Sequence, residues 1–184
     1  MPTGDVVKPA SYDEQSFEDL FRTHHQAIYR YCLRRLGASD AEDAAAEVFA
    51  VAWRRRGAIP EGDASRVWLY GVAFHVVGNR FRSSRRRASL ITRVKSSMQP
   101  SVLSDDASDG ELLLVALSRL NASDREILKL STWDDLDRSA IAAVLGISEN
   151  ATDQRLHRAR SRLRVELGRV PQDPKESRPK EAST

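Results

Sequence analysis

The sequence predicts an all-α protein of two small helical domains joined by a flexible linker, the second of them a helix-turn-helix domain. Three observations carry this. Apolar residues recur at helical spacing, no β-alternation of useful length occurs, and a stretch rich in Ser, Arg and Asp from about Ser83 to Gly110 interrupts the apolar period. The expected division is a disordered N-terminus at 1–10, a first helical unit at 11–87, a linker at 88–110, a second unit at 111–168 and a disordered tail at 169–184.

In the first unit, Phe17, Leu20, Phe21, Ile28, Tyr31, Cys32 and Leu36 trace one helix that stops at Gly37. Ser39-Asp40-Ala41-Glu42 has the pattern of a capping box and is expected to start the next helix. There Ala44, Val48 and Ala52 face inward, while Asp40, Asp43 and Glu47 share a different face. Two readings of that acidic face stand side by side, a solvated surface and a docking patch for a basic partner. A third helix, from about Arg66 to Arg82, is apolar around most of its circumference except for a stripe of Trp68, His75, Asn79 and Arg82 bordered by Gly71 and Gly78. An aromatic, an imidazole, an amide and a guanidinium beside glycines suit a closely approaching single strand, to be stacked on and read at its base edges. For Trp68, a plain core position is the equal alternative.

The second unit carries the strongest local signal. In DRSAIAAVLGISENATDQRLHRARSRLR, Ile141, Val144 and Leu145 keep a helical period, Gly146-Ile147-Ser148 breaks it, and Thr152, Leu156, Ala159 and Leu163 resume it. Gly146 suits the turn and Ser148 the cap of the following helix. At about 100° per residue, the face opposite that apolar one carries Asn150, Gln154, His157, Arg158 and Ser161. These side chains suit base edges, and Arg155 and Arg162 on the flank suit phosphates. Glu149 and Asp153 near the helix start repel phosphate but favour the helix dipole.

Composition narrows the function classes. With 184 residues and 41% hydrophobic content, the chain suits one ordinary domain or two small ones. The formal charge of +3 is modest but segregated. Arg80, Arg82, Arg85, Arg86, Arg87, Arg93 and Lys95 run without an acid, as do Arg155, Arg158, Arg160, Arg162 and Arg164, which suggests two contacts with one polyanion. Cys32 is alone, so neither a disulfide framework nor a cysteine zinc site is expected. His24, His25, His75 and His157 do not form a metal-spaced set, and neither paired carboxylates nor a phosphate loop accompany the basic segments. No enzyme activity, metal or other cofactor is therefore expected. With neither a signal peptide nor an apolar run long enough to span a bilayer, a cytoplasmic protein without membrane insertion is expected.

Taken in order, these segments resemble bacterial RNA polymerase sigma factors of the extracytoplasmic-function (ECF) group, whose minimal members hold only regions two and four. FEDLFRTHHQAIYRYCLRRLG resembles the first region-two helix, ASDAEDAAAEVFAVAWRR the polymerase-docking segment and VWLYGVAFHVVGNRFRSSRRR the promoter-melting segment. ALSRLNASDREILKLSTWDDL with the helix-turn-helix resembles region four, and the likeness runs from about Ser16 to Leu167.

The resemblance implies an alternative sigma factor that binds core RNA polymerase and directs promoter recognition, DNA melting and transcription initiation. Asp40, Glu42, Asp43 and Glu47 would dock on polymerase. Trp68, His75, Asn79, Arg80, Arg82, Arg85 and Arg86 would hold the melted minus 10 non-template strand. Asn150, Gln154, Arg155, His157, Arg158, Ser161 and Arg162 would meet the duplex minus 35 element. An anti-sigma factor is a further partner implied by the group. The chain departs from the common pattern at Phe74-His75, where Arg-Asn is usual, and at Asp153, where a Lys is usual. The competing function is a helix-turn-helix regulator that acts on duplex DNA without polymerase; it needs neither the polar stripe nor the acidic face.

Overall fold

The computed structural model describes residues 12–91 and 109–169. Residues 1–10, the expected tail after Arg169 and most of the expected linker lie outside them, and Arg169 itself closes the last helix. The first unit holds α1 (Glu14–Leu36), α2 (Ala38–Arg54), a short 3-10 turn (Arg56–Ala58) and α3 (Asp63–Ile91). The second holds α4 (Asp109–Arg119), α5 (Ala122–Thr132), α6 (Arg138–Leu145) and α7 (Glu149–Arg169). No strand occurs among the described residues.

Helix starts follow from side-chain caps. Asp13 accepts from the Ser16 N–H, Asn121 from that of Asp124 and Asp137 from that of Ala140, at 2.8, 2.8 and 2.7 Å. Each satisfies a donor that the first helical turn leaves without a partner. Those bonds hold the Asp13 and Asp137 carboxyls below the ordinary carboxylate range. At α2 the expected capping box does not form. The helix begins at Ala38, one residue before Ser39, with Gly37 at the cap position and no side-chain cap bond. Gly37 closes α1 and opens α2 at φ +82°, which leaves no room in the sequence for a separate cap.

The core of the first unit is set by alanines. Ala41, Ala44, Ala45 and Ala52 are buried on α2 with Val48 and Phe49, so α1 and α3 approach α2 closely. Tyr31 and Tyr70, both buried, meet edge to face at 5.5 Å across α1 and α3. Cys32 sits in this core, and burial pushes its thiol up to about 11, so it stays protonated and inert at neutral pH. In the second unit, Leu120, Ile127, Leu130, Ile141, Val144, Leu156 and Ala159 are buried between α4 and α7.

α3 continues to Ile91, beyond the third helix expected from about Arg66 to Arg82 and through RFRSSRRR. Ser and Arg do not break a helix in the absence of Gly or Pro, so loss of the apolar period does not end it. The two units also touch. α3 packs on α6, and the loop from Trp133 to Asp137 lies against α1 through ion pairs of Asp134 with Arg34 and Arg35 and against α3 through a hydrogen bond from Arg66 to the Asp134 carbonyl.

Candidate nucleic-acid interface

The helix-turn-helix is built from a left-handed glycine and a tight cap. Gly146 adopts φ +64°, ψ +39° and Ile147 N–H donates back to the Ala142 carbonyl at 3.0 Å, closing α6. Ser148 Oγ then accepts from the Ala151 N–H at 3.2 Å, and Thr152, fully buried, donates its hydroxyl to the Ser148 carbonyl. With Thr152, Leu156 and Ala159 seated on the core, Asn150, Gln154, His157, Arg158 and Ser161 are exposed along the outer face, as the period required. Arg155 is half-buried on the flank.

Two sets of ion pairs modify this face. Arg138 of α6 reaches Glu149 at 2.8 Å and Asp153 at 2.9 Å, so both acids at the helix start are neutralised from the neighbouring helix. Arg162 pairs with the mostly buried Asp124 of α5 and is thus partly committed within the protein. Arg138 and Asp124 escaped the sequence reading because both pairings cross between helices. Their one local sign was the presence of two acids at the start of an otherwise basic helix.

On α3, His75, Asn79 and Arg82 are exposed along one line, and Arg82 donates to Asn79 Oδ1 at 2.5 Å. Trp68 begins the same line but is half-buried and packed against the core, which makes it a wall at the stripe's end. Arg80 turns away from the stripe and binds Glu47 Oε2 of α2 at 3.0 Å. A residue assigned to DNA and one assigned to docking therefore form a single pair tying α2 to α3. Arg85 and Arg86 lie on the continuing helix; their side chains are outside the described residues. Phe81, 47% exposed, is an aromatic that the pattern did not single out.

On α2, Asp40, Glu42, Asp43 and Glu47 are all exposed. They do not form one patch. By helical angle Asp40, Asp43 and Glu47 make one edge and Glu42 falls with Phe49 and Trp53 on the other, with exposed Ala46 and Ala50 between them. The second edge continues onto α1 as an aromatic cluster. Phe21 meets Phe49 at 4.7 Å and Phe17 meets Trp53 at 5.0 Å, with Phe21 and Trp53 each 40% exposed. An alanine floor between an acidic and an aromatic edge is a shape that accepts a helical partner with a basic flank.

Comparison with known proteins decides the family. Residues 20–87 match the family model for sigma-70 region 2, and residues 110–163 match that for sigma-70, region 4. The RNA polymerase sigma factor CarQ of Myxococcus xanthus is 32% identical over 162 residues, covering 85% of this chain and 92% of that protein. The chain belongs to the sigma-70 family, in its ECF group. It is an alternative sigma factor, which binds core RNA polymerase and directs promoter recognition and transcription initiation. The region 2 match sets it apart from a regulator that carries a helix-turn-helix alone. The ECF sigma factor BldN of Streptomyces coelicolor is 31% identical over 84% of this sigma factor, which spans 61% of BldN's length. Among solved structures, CnrH in complex with the cytosolic domain of CnrY shares the fold, with a TM-score of 0.60 at 21% identity over 88% of this chain and 93% of that one. Among the described residues no helix is long and apolar enough to cross a membrane.

Salt titration tests the reader and anchor roles expected of α7. Removal of one side chain that neutralises a phosphate should lower the slope of log affinity against log salt by about 0.9. The full decrement is expected for Arg155→Ala and a smaller one for Arg162→Ala, because Arg162 already has Asp124 as a counter-charge. Gln154→Ala, at the centre of the exposed face, should leave the slope unchanged and cost about 1–3 kcal/mol at one or two base pairs. Binding of the full chain with core polymerase to matched and mismatched minus 35 duplexes measures all three. Equal slopes for the three variants would place this helix differently in the groove.

Proposed function

We propose that the three exposed faces divide the work of initiation. The acidic edge of α2, Asp40, Asp43 and Glu47, holds the basic flank of a polymerase helix, with Glu42 and the aromatic edge on its other side. His75, Asn79 and Arg82 of α3 hold the melted minus 10 non-template strand, with Trp68 as an aromatic wall and Arg85 and Arg86 continuing the basic track. Arg80 braces α2 against α3 through Glu47 and serves the strand indirectly. On α7, Asn150, Gln154, His157, Arg158 and Ser161 meet base edges of the minus 35 duplex while Arg155 and Arg162 meet phosphates.

The observation that carries this reading is the chemical segregation of the faces. Carboxylates lie on α2, an amide-imidazole-guanidinium line on α3 and a base-reading row on α7, each exposed on a helix whose opposite side is core. The subunit supplies specificity to polymerase and no catalysis of its own, and it works in the cytoplasm. The sigma factor RpoE of Bartonella quintana was solved in complex with the anti-sigma factor NepR, and an anti-sigma factor is a further partner proposed here.

In vitro transcription with core polymerase on a genomic fragment library tests the assignment. A defined set of start sites sharing two upstream elements at fixed spacing is the expected result. Starts no different from those of core enzyme alone would overturn it.

A further inference from the structure

Asp153 is the residue of α7 whose place beside DNA needs a reason, because a carboxylate repels phosphate. It is exposed, and it shares a shallow concavity on the outer side of the helix with Gln154, His157 and Arg158. The protein holds this carboxylate in a set direction. Arg138 donates from Nη1 to Asp153 Oδ2 at 2.9 Å, while its Nη2 lies 2.8 Å from Glu149 Oε2.

Both ends of that link are anchored. Asp137, the cap of α6, accepts from the Ala140 N–H at 2.7 Å and from the Ser139 hydroxyl at 2.8 Å, which fixes the turn that carries Arg138. The Ser148 cap and the buried Thr152 do the same for the turn that carries Asp153. Asp153 Oδ1 accepts no hydrogen bond from any described residue. One oxygen is therefore held by α6, and the other is left for a partner outside the chain.

Stapling α6 to α7 does not account for the arrangement. Arg138 and Asp153 are each about half exposed, and an ion pair in that setting adds little to folding, because water screens it and long side chains lose freedom in making it. Nor is this flank hostile to DNA. Arg138 sets one positive charge against the two carboxylates, and Arg160 and Arg164, which line a second concavity with Asp153, add two more on the same side. The balance of these five groups is one positive charge, so the acid can approach a duplex in their company.

The chemistry of the major-groove edge then selects the partner. An ionised carboxylate accepts hydrogen bonds and donates none. Guanine offers it two acceptors, thymine an acceptor and a methyl group, and adenine a donor beside an acceptor. Cytosine alone offers a donor, its N4 amino group, with no acceptor on the same base edge.

We infer that Asp153 is a specificity-determining residue of α7: Arg138 holds its Oδ2, and its Oδ1 accepts from the N4 amino group of a cytosine in the minus 35 element. This rests on the assignment of α7 to that duplex.

The experiment is a selection by the full chain with core polymerase from a library in which the minus 35 element of one of its own promoters is randomised, with the bound DNA sequenced. At one position, cytosine on one strand should be enriched about tenfold over each other base. Asp153→Ala should level that position and leave the others. Asp153→Asn should invert it: Arg138 turns the amide oxygen toward itself, so the NH2 group faces the groove and favours guanine O6 or thymine O4. Asp153→Asn keeps the link between α6 and α7, so it decides the matter if Asp153→Ala folds poorly. Base preferences unchanged in both variants, with binding strengthened on all sequences alike, would reduce the carboxylate to a charge and overturn the inference. Gln154→Ala separates this from the reading of α7 itself. If Gln154→Ala levels a position while the Asp153 variants level and invert none, the inference alone fails. If no minus 35 position is enriched even by the unmutated protein, the assignment of α7 fails with it.

Discussion

Core polymerase binding should be abolished when Asp40 and Asp43 are replaced by Lys and Glu47 by Gln. The three side chains form one exposed edge of α2, and charge reversal at two of them sets like charges against the basic flank proposed for the partner, which costs several kcal/mol. A drop of 100-fold or more in affinity, by pull-down or titration with core enzyme, is expected. Glu47 is made neutral because a lysine there would face Arg80 across 3 Å and loosen α3, mixing a folding defect with a docking one. Circular dichroism should show unchanged helicity. Undiminished binding by the folded triple variant would remove the acidic edge from the interface, leaving the aromatic edge as its centre.

Open-complex formation should fall by about 10- to 100-fold in Asn79→Ala, with minus 35 binding retained. Asn79 and Arg82 are joined by a hydrogen bond on the exposed face of α3, so the substitution removes an amide reader and releases the guanidinium that it orients. An amide that hydrogen-bonds a base edge is worth about 1–3 kcal/mol, and the deficit falls on the melted state, where the base is splayed out. Permanganate reactivity of minus 10 thymines measures melting, and duplex binding at minus 35 is the control. Equal deficits in both would mean that the two units do not divide the promoter as proposed.

What was legible in the sequence was whatever depends on near neighbours. Gly146 with Ser148 fixes the turn and the next cap within three residues, and the period of Thr152, Leu156 and Ala159 then orients α7. The acidic residues were placed outward by the same logic, but their split into two edges needed the packing of α2 to be known. The Ser39 capping box failed because Gly37 serves two helices at once, a constraint from chain economy that the four-residue pattern does not contain. The end of α3 was misplaced because loss of apolar period was equated with loss of helix. Arg35 and Asp134 are 99 residues apart and were invisible to any periodicity. The only local trace was an arginine at a core position, which demands a buried acid without naming it.

The clasp of Arg138 on Glu149 and Asp153 makes one residue of α6, outside the exposed row of α7, the custodian of the charge at the start of that helix. Under the proposed docking of α7 on the minus 35 duplex, substitution of Arg138 by a neutral residue should uncover two carboxylates and weaken binding to every promoter alike. A lineage in which this sigma factor adopts new target sequences is therefore free to vary Gln154 and its neighbours one base at a time, while Arg138 stays fixed as long as the two acids do.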